Sequence, residues 1–349
     1  MSNAYSAPTG YWLLRLGNRT LLFNRRAWLI GLFMFLFLAG VSLAALSLGS
    51  GKMTAGQALQ TLLGQGNRLQ ELMLFRIRLP RVLAVMVAGA ALGLSGCLIQ
   101  TLVRNRLATP DMIGVNEGAT LSIVIFSLYL TLGSWPWWAA PLGAAFAALV
   151  LFSLCRRPGE QSYLFIVVGI GLSELFSAIG DFAMSRQALV HLGSLYLWTM
   201  GNFSGQAYAS LTPITLLLAA LCPLLIWLTR PLALLRFSDA TAQNLGIRVP
   251  FLQLSILALA IAVAALGTAI GGPVIFIAMA APILASWLTG GATVPLWVAA
   301  LAGALLLLAS DTLVRVLAQP HEVPTGIMTR IIGGVLLLFL LFKDRRWAD

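Results

Sequence analysis

The side chains able to do chemistry are few and far apart: the 349-residue chain carries 11 carboxylates, two histidines and three cysteines. Glu174 lies deep in an apolar run with Ser173 and Ser177 on adjoining turns. A carboxylate there is costly in lipid, so it faces a cavity or protein, either beside a transport path or hydrogen-bonded in packing. Glu117 follows a helix start after Pro110, where the helix dipole favours a negative charge. With Glu174 and Asp311 it makes a set of relay candidates for a proton-coupled carrier. His191 and His321 are isolated, and Cys97, Cys155 and Cys222 sit in or at the ends of apolar runs. Neither a metal set, a disulfide framework nor a converging catalytic cluster is suggested. Gly49-Ser50-Gly51-Lys52 imitates the end of a phosphate loop, but Leu46 stands where the first glycine is needed and Met53 where Ser or Thr is needed. The chain therefore has no ATP-binding motif of its own.

The elements that must position these residues are membrane spans. With 59% apolar and 9% charged residues, 33 glycines and a mean hydropathy of +0.91, a soluble globular fold is excluded and the fold class is an all-α polytopic membrane protein. The net charge of +11 comes from 22 bases against 11 acids, and the bases flank apolar runs, so nucleic acid is not the partner. A tail, 1–27, holds Arg15, Arg19, Arg25 and Arg26. The run after it is too long for a signal peptide and leads into further spans, so it reads as an uncleaved first helix. A single transmembrane domain, 28–342, then has about ten spans: 27–48, 81–103, a third after Pro110, 135–155, 161–182, 211–228, 251–269, an eighth through Trp287, 294–317 and 326–342. Residues 49–79 are polar enough to leave the bilayer, and 185–209 reads as a partly inserted or surface-lying helix. Residues 343–349 form a carboxyl tail.

Within the domain, 230–250 is a polar island with Arg230, Arg236 and Arg248 against one acid, Asp239. Ser238 or Asp239 can cap a short helix through Leu245, which Gly246 ends. Placing both termini and the island in the cytoplasm puts fourteen of the 22 bases inside. The outward bases cluster: Arg76, Arg78 and Arg81 before the second span and Arg315 at the end of the ninth. An acidic partner outside accounts for them, as does snorkelling at the membrane edge.

Several stretches in order resemble one family: Arg78-Leu79-Pro80-Arg81, Gly89 through Gly96, Gln100 with Arg104-Asn105, Pro110-Asp111 with Gly114 and Asn116, Ala309 through Arg315, and Glu322-Val323-Pro324-Thr325-Gly326. They are similar to the permease subunits of bacterial iron-siderophore, haem and cobalamin ABC importers. The resemblance implies ten spans, the type II importer fold and an inner-membrane subunit that is not itself an enzyme and binds no cofactor. ATP and Mg would sit on two partner ATPase subunits. It implies that Ser238, Asp239, Ala240, Thr241, Ala242, Leu245 and Gly246 couple to an ATPase cleft. It further implies that Arg78, Arg81 and Arg315 receive acidic residues of a periplasmic binding protein. The fifth and tenth spans would line the path, making Glu174, Ser173 and Ser177 path candidates. The chain departs from the family at Arg106, where Pro is usual, at Ile283, where His is usual, and at Gly333-Gly334 in place of Ala-Pro. Its texture is most similar to subunits serving catecholate siderophores such as ferric enterobactin, which work beside a paralogue. Haem or cobalamin import by the same mechanism is an alternative, and a proton-coupled carrier a further one.

Overall fold

The computed structural model describes residues 10–16, 19–49, 53–129, 135–155, 162–187, 189–235, 239–290, 296–319 and 321–343. The chain enters through an antiparallel hairpin, β1 (Tyr11–Leu16) and β2 (Arg19–Asn24), in which Tyr11 faces Asn24 and Leu16 faces Arg19. The helical class holds, and the hairpin is an addition to it. The arginines of this segment suggest a tail, but its Tyr, Trp, Leu and Phe content suits strands. Asn24 closes β2 and caps α1 (Arg25–Ser47), its side chain accepting from the Ala27 N–H at 3.2 Å.

At 23 residues and about 1.5 Å per residue, α1 is long enough to span a bilayer. It is followed by α2 (Ala55–Leu62), whose capping box pairs Thr54 with Gln57. Then α3 (Arg68–Glu71), a π turn (Leu72–Arg78) and α4 (Leu79–Val103) run together as 36 helical residues. The helix thus begins well before residue 81, where the apolar pattern starts. Pro80 has no N–H and interrupts the ladder in any case, and the π turn ends just ahead of it, with the Leu79 N–H donating to the Leu74 carbonyl.

After a 3-10 turn (Pro110–Ile113) come α5 (Val115–Tyr129), α6 (Ala139–Leu154), α7 (Ser162–Ser185) and α8 (Leu189–Thr199). α8 is the short helix expected in the half-apolar stretch. The chain continues through α9 (Tyr208–Leu234), α10 (Asp239–Asn244), α11 (Val249–Gly271), α12 (Ile277–Thr289), α13 (Leu296–Leu317) and α14 (Thr325–Lys343). Among the described residues, six helical segments are long and apolar enough to cross a membrane, and four more apolar helices are shorter.

The bundle is built around α4, which packs on α13, α11 and α12. Most of the apolar stretch in each of α4, α11 and α13 is buried, whereas less than a third of that in α1, α7 and α9 is. Small residues permit this: a Cβ added to Gly89 would stand 2.4 Å from the Gly303 carbonyl oxygen, and one on Gly96 would stand 1.7 Å from that of Ala278. Helix backbones therefore touch at both crossings, as apolar helices do where packing rather than water drives association. Polar bonds add specificity, with Ser95 Oγ donating to Ala260 O at 2.7 Å and Gln100 Nε2 to Met279 O at 3.1 Å.

Candidate functional site

Three polar features interrupt the apolar bundle. The first is at the end where α1 stops and α4 starts, and it centres on Asp311 of α13, which is fully buried. Arg81, in the first turn of α4, donates to it through Nη2 at 2.8 Å and Nε at 3.1 Å. Arg315, one turn along α13, pairs with the other carboxylate oxygen at 3.0 Å, and Thr325 Oγ1 at the start of α14 donates at 2.8 Å. Arg81 Nη1 also donates to Ser204 Oγ at 3.1 Å, which ties in the connection between α8 and α9. Arg78 is buried and donates to the last carbonyls of α1, Leu46 at 2.6 Å and Ser47 at 3.0 Å. Those carbonyls lack helical partners, so a cation is well placed there.

All three arginines expected to meet an outside partner are thus engaged within this chain, binding four helix ends together. Only 13% of the Arg81 side chain and 12% of that of Arg315 is exposed. Two guanidinium groups on one carboxylate, with that of Arg78 on the α1 carbonyls, nevertheless leave the cluster net positive.

The second feature lies at the opposite end, where α4 stops. Arg104 caps α4 in the left-handed region at φ 55°. Its Nε donates to the Leu235 carbonyl at the end of α9 at 2.9 Å, and its Nη2 pairs with Asp239, the first residue of α10. α10 is closed by Gly246 at φ 84°, whose N–H donates to Gln243 O at 2.8 Å while Ile247 N–H donates to Ala242 O at 3.2 Å. A positive φ costs glycine nothing, so the turn is sharp. Of the expected coupling residues, Ser238 lies outside the described residues. Ala240, Thr241, Leu245 and Gly246 are exposed, whereas Ala242 is fully buried in the core of this chain. Ala242 therefore seats α10 on its own bundle, and the face that α10 offers outward is that of Thr241, Gln243, Asn244 and Leu245. Arg104 was legible only as part of a motif, because its partner Asp239 is 135 residues away.

The third feature is one face of α7. Glu174 and Ser177 are exposed, and Ser173 Oγ donates to Gly169 O at 2.9 Å. Glu174 makes no hydrogen bond among the described residues, so of its two readings, beside a path or hydrogen-bonded in packing, the second has no partner there. Asp181 is exposed as well, and the spacing 174, 177, 181 puts all three on one stripe. Sequence reading passed over Asp181 because it stops at the most deeply apolar acid, although the three- and four-residue intervals were available. Alongside α7, Asn116 Nδ2 donates to Asp111, and Thr268 Oγ1 donates to Asn116 Oδ1 at 3.0 Å, joining the 3-10 turn, α5 and α11. Glu117 keeps one buried oxygen without a hydrogen-bond partner among the described residues. No metal-ligating cluster of His, Cys, Asp or Glu occurs among the described residues.

Helices of spanning length, with a polar helix at one end and a cation cluster at the other, define a polytopic membrane protein. The chain belongs to the FecCD transport family, which it matches over residues 34–343. It is 33% identical over 302 residues to the ferric enterobactin transport system permease protein FepG of Escherichia coli K12, covering 85% of this chain and 91% of that one. The Fe(3+) dicitrate transport system permease protein FecD of the same strain is 35% identical over 90% of this chain and 99% of its own length. The vitamin B12 import system permease protein BtuC of E. coli O9:H4 is 34% identical over 79% of this chain and 85% of its own. In structure the chain is similar to a metal-chelate type ABC transporter in an inward-facing conformation, with a TM-score of 0.77, 25% identity and coverage of 91% and 99% of the two chains. It is accordingly the permease subunit of an ABC importer, whose ATPase and substrate-binding functions reside on partner subunits.

Proposed function

We propose that this subunit carries a ferric siderophore of the catecholate class across the bacterial inner membrane, paired with a paralogous permease, two ATPase subunits and a periplasmic binding protein. The observation that carries the mechanism is the course of α4, which begins in the Arg81–Asp311 cluster and ends at Arg104 beside α10. One closely packed helix thereby links both polar ends. A binding protein docks on the net-positive Asp311 end through acidic residues, drawn by the field of the cluster rather than by extended free side chains. At the Arg104 end the exposed face of α10 enters the ATPase, and both termini lie on that side. The stripe Glu174, Ser177 and Asp181 faces the path or the paralogue.

The iron-chelate cargo is supported by the similarity to ferric enterobactin and ferric dicitrate permeases along nearly the whole chain. Cobalamin is the second reading, on the 34% identity to the B12 permease. The test is uptake in a strain lacking the native permease but supplied with the cognate partners, using radiolabelled iron in catecholate, hydroxamate and citrate chelates beside labelled cobalamin. Catecholate uptake is expected to dominate. Uptake of cobalamin alone would overturn the iron assignment.

A further inference from the structure

We infer that the β1–β2 hairpin is an interfacial anchor that binds anionic phospholipid at the membrane face shared with α10. It lies ahead of residue 34, where the family match starts. Such an anchor requires only that α1 spans the bilayer, whatever is transported.

Covalent geometry fixes its position. β2 ends at Asn24 and α1 begins at Arg25 with no linker, and the Arg25 N–H donates to the Gly10 carbonyl at 3.0 Å, so the base of the hairpin is closed on the first turn of α1. Just beyond, Trp28, Leu29, Leu32 and Phe33 are exposed, as lipid-facing side chains of a span are. The hairpin is therefore held at the level where the span leaves the hydrocarbon. α1 runs from there to the Leu46 and Ser47 carbonyls held by Arg78 at the start of α4, which places its own start at the Arg104 end.

Strand register then sorts the residues. Trp12, Leu14 and Leu16 stand across from Phe23, Leu21 and Arg19, so one face of the ribbon is apolar but for one arginine at its tip. The other face pairs Tyr11 with Asn24, Leu13 with Leu22 and Arg15 with Thr20. A lone two-stranded hairpin is marginal in water, and among the described residues the helix this one packs on is α1. Some further surface must cover it. The charge says which: Arg15, Arg19, Arg25 and Arg26 are all basic, and no Asp or Glu precedes Glu71. An apolar ribbon edged with arginines at headgroup depth suits an anionic leaflet.

The full-length permease, with Cys97, Cys155 and Cys222 replaced, is spin-labelled at Leu14→Cys or, on the opposite face, at Thr20→Cys. Each is reconstituted in nanodiscs of phosphatidylglycerol mixed with phosphatidylcholine, or of phosphatidylcholine alone, without partner subunits. In the mixed discs the label at 14 is expected to favour collision with oxygen and that at 20 with a water-soluble nickel chelate. Arg15→Gln and Arg19→Gln should each lower the docked-to-undocked ratio by about fivefold, and raised salt should do the same to the unsubstituted hairpin. Equal water access at both positions overturns the anchor. Equal docking in the two kinds of disc overturns the anionic-lipid assignment. Protection of position 14 that appears only when the ATPase is added makes the hairpin a subunit contact instead.

Discussion

At the scale of single residues, Asp311 and Ala242 are both wholly buried, one in an ion cluster and one in apolar packing. Asp311 presents itself as a relay acid, yet it is wholly buried among Arg81, Arg315 and Thr325 and serves to hold helix ends. Removing one member of a buried ion cluster leaves the others uncompensated, at a cost of about 3–5 kcal/mol. Asp311→Asn should therefore lower the thermal midpoint in detergent sharply, and adding Arg81→Gln should recover part of the loss rather than add to it. Additive losses would mean the pair is not coupled. Ala242 presents itself as a docking residue, and its burial in this chain predicts that Ala242→Trp costs about 1–3 kcal/mol of permease stability. Leu245→Glu, on the exposed face, should leave the midpoint unchanged while the permease loses its ATPase subunit in a pull-down.

At the scale of elements, the apolar runs located the helices well, because a span needs about 20 apolar residues and charges punctuate it. What the runs could not show is where helices continue past their apolar part. The stretch from Arg68 through the π turn carries four charges in eleven residues but is one helix with α4, since nothing before Pro80 stops it. The hairpin was hidden for a different reason: its arginines drew attention to charge while the strand signal is only six residues on each side. The short capped helix in the polar island was legible from Asp239 and Gly246, but not its attachment. Arg104 supplies that, through an exposed ion pair worth at most about 1 kcal/mol and a bond to the Leu235 carbonyl. Arg104→Gln should then shift the thermal midpoint little, yet raise ATP hydrolysis that is not accompanied by uptake, since α10 loses its tie to α4. A large drop in stability with coupling intact would make Arg104 a plain structural cap.

At the scale of the whole molecule, the exposed side of α7 is what a single chain cannot account for in lipid. Glu174 and Asp181 stand on it with Ile170, Leu175 and Phe182 also uncovered. Glu174, midway along α7, would cost about 2.5–3.5 kcal/mol at the bilayer centre, and Asp181, one turn from the helix end at Ser185, less. A second permease subunit, or a water-filled path between two, removes that cost. A siderophore complex is usually anionic, so two charged carboxylates pressed against it would repel, which puts the acids beside the cargo rather than in contact with it. Glu174→Gln and Asp181→Asn should therefore each keep most uptake, whereas Ser177→Cys should cross-link with a short bifunctional thiol reagent to a cysteine scanned along the paralogue in membranes. Cross-linking to a second copy of this chain, in cells that also express the paralogue, would show a homodimer instead. Abolished uptake in Glu174→Gln with normal assembly and ATP hydrolysis would give that carboxylate a proton-carrying role and return the relay reading to contention.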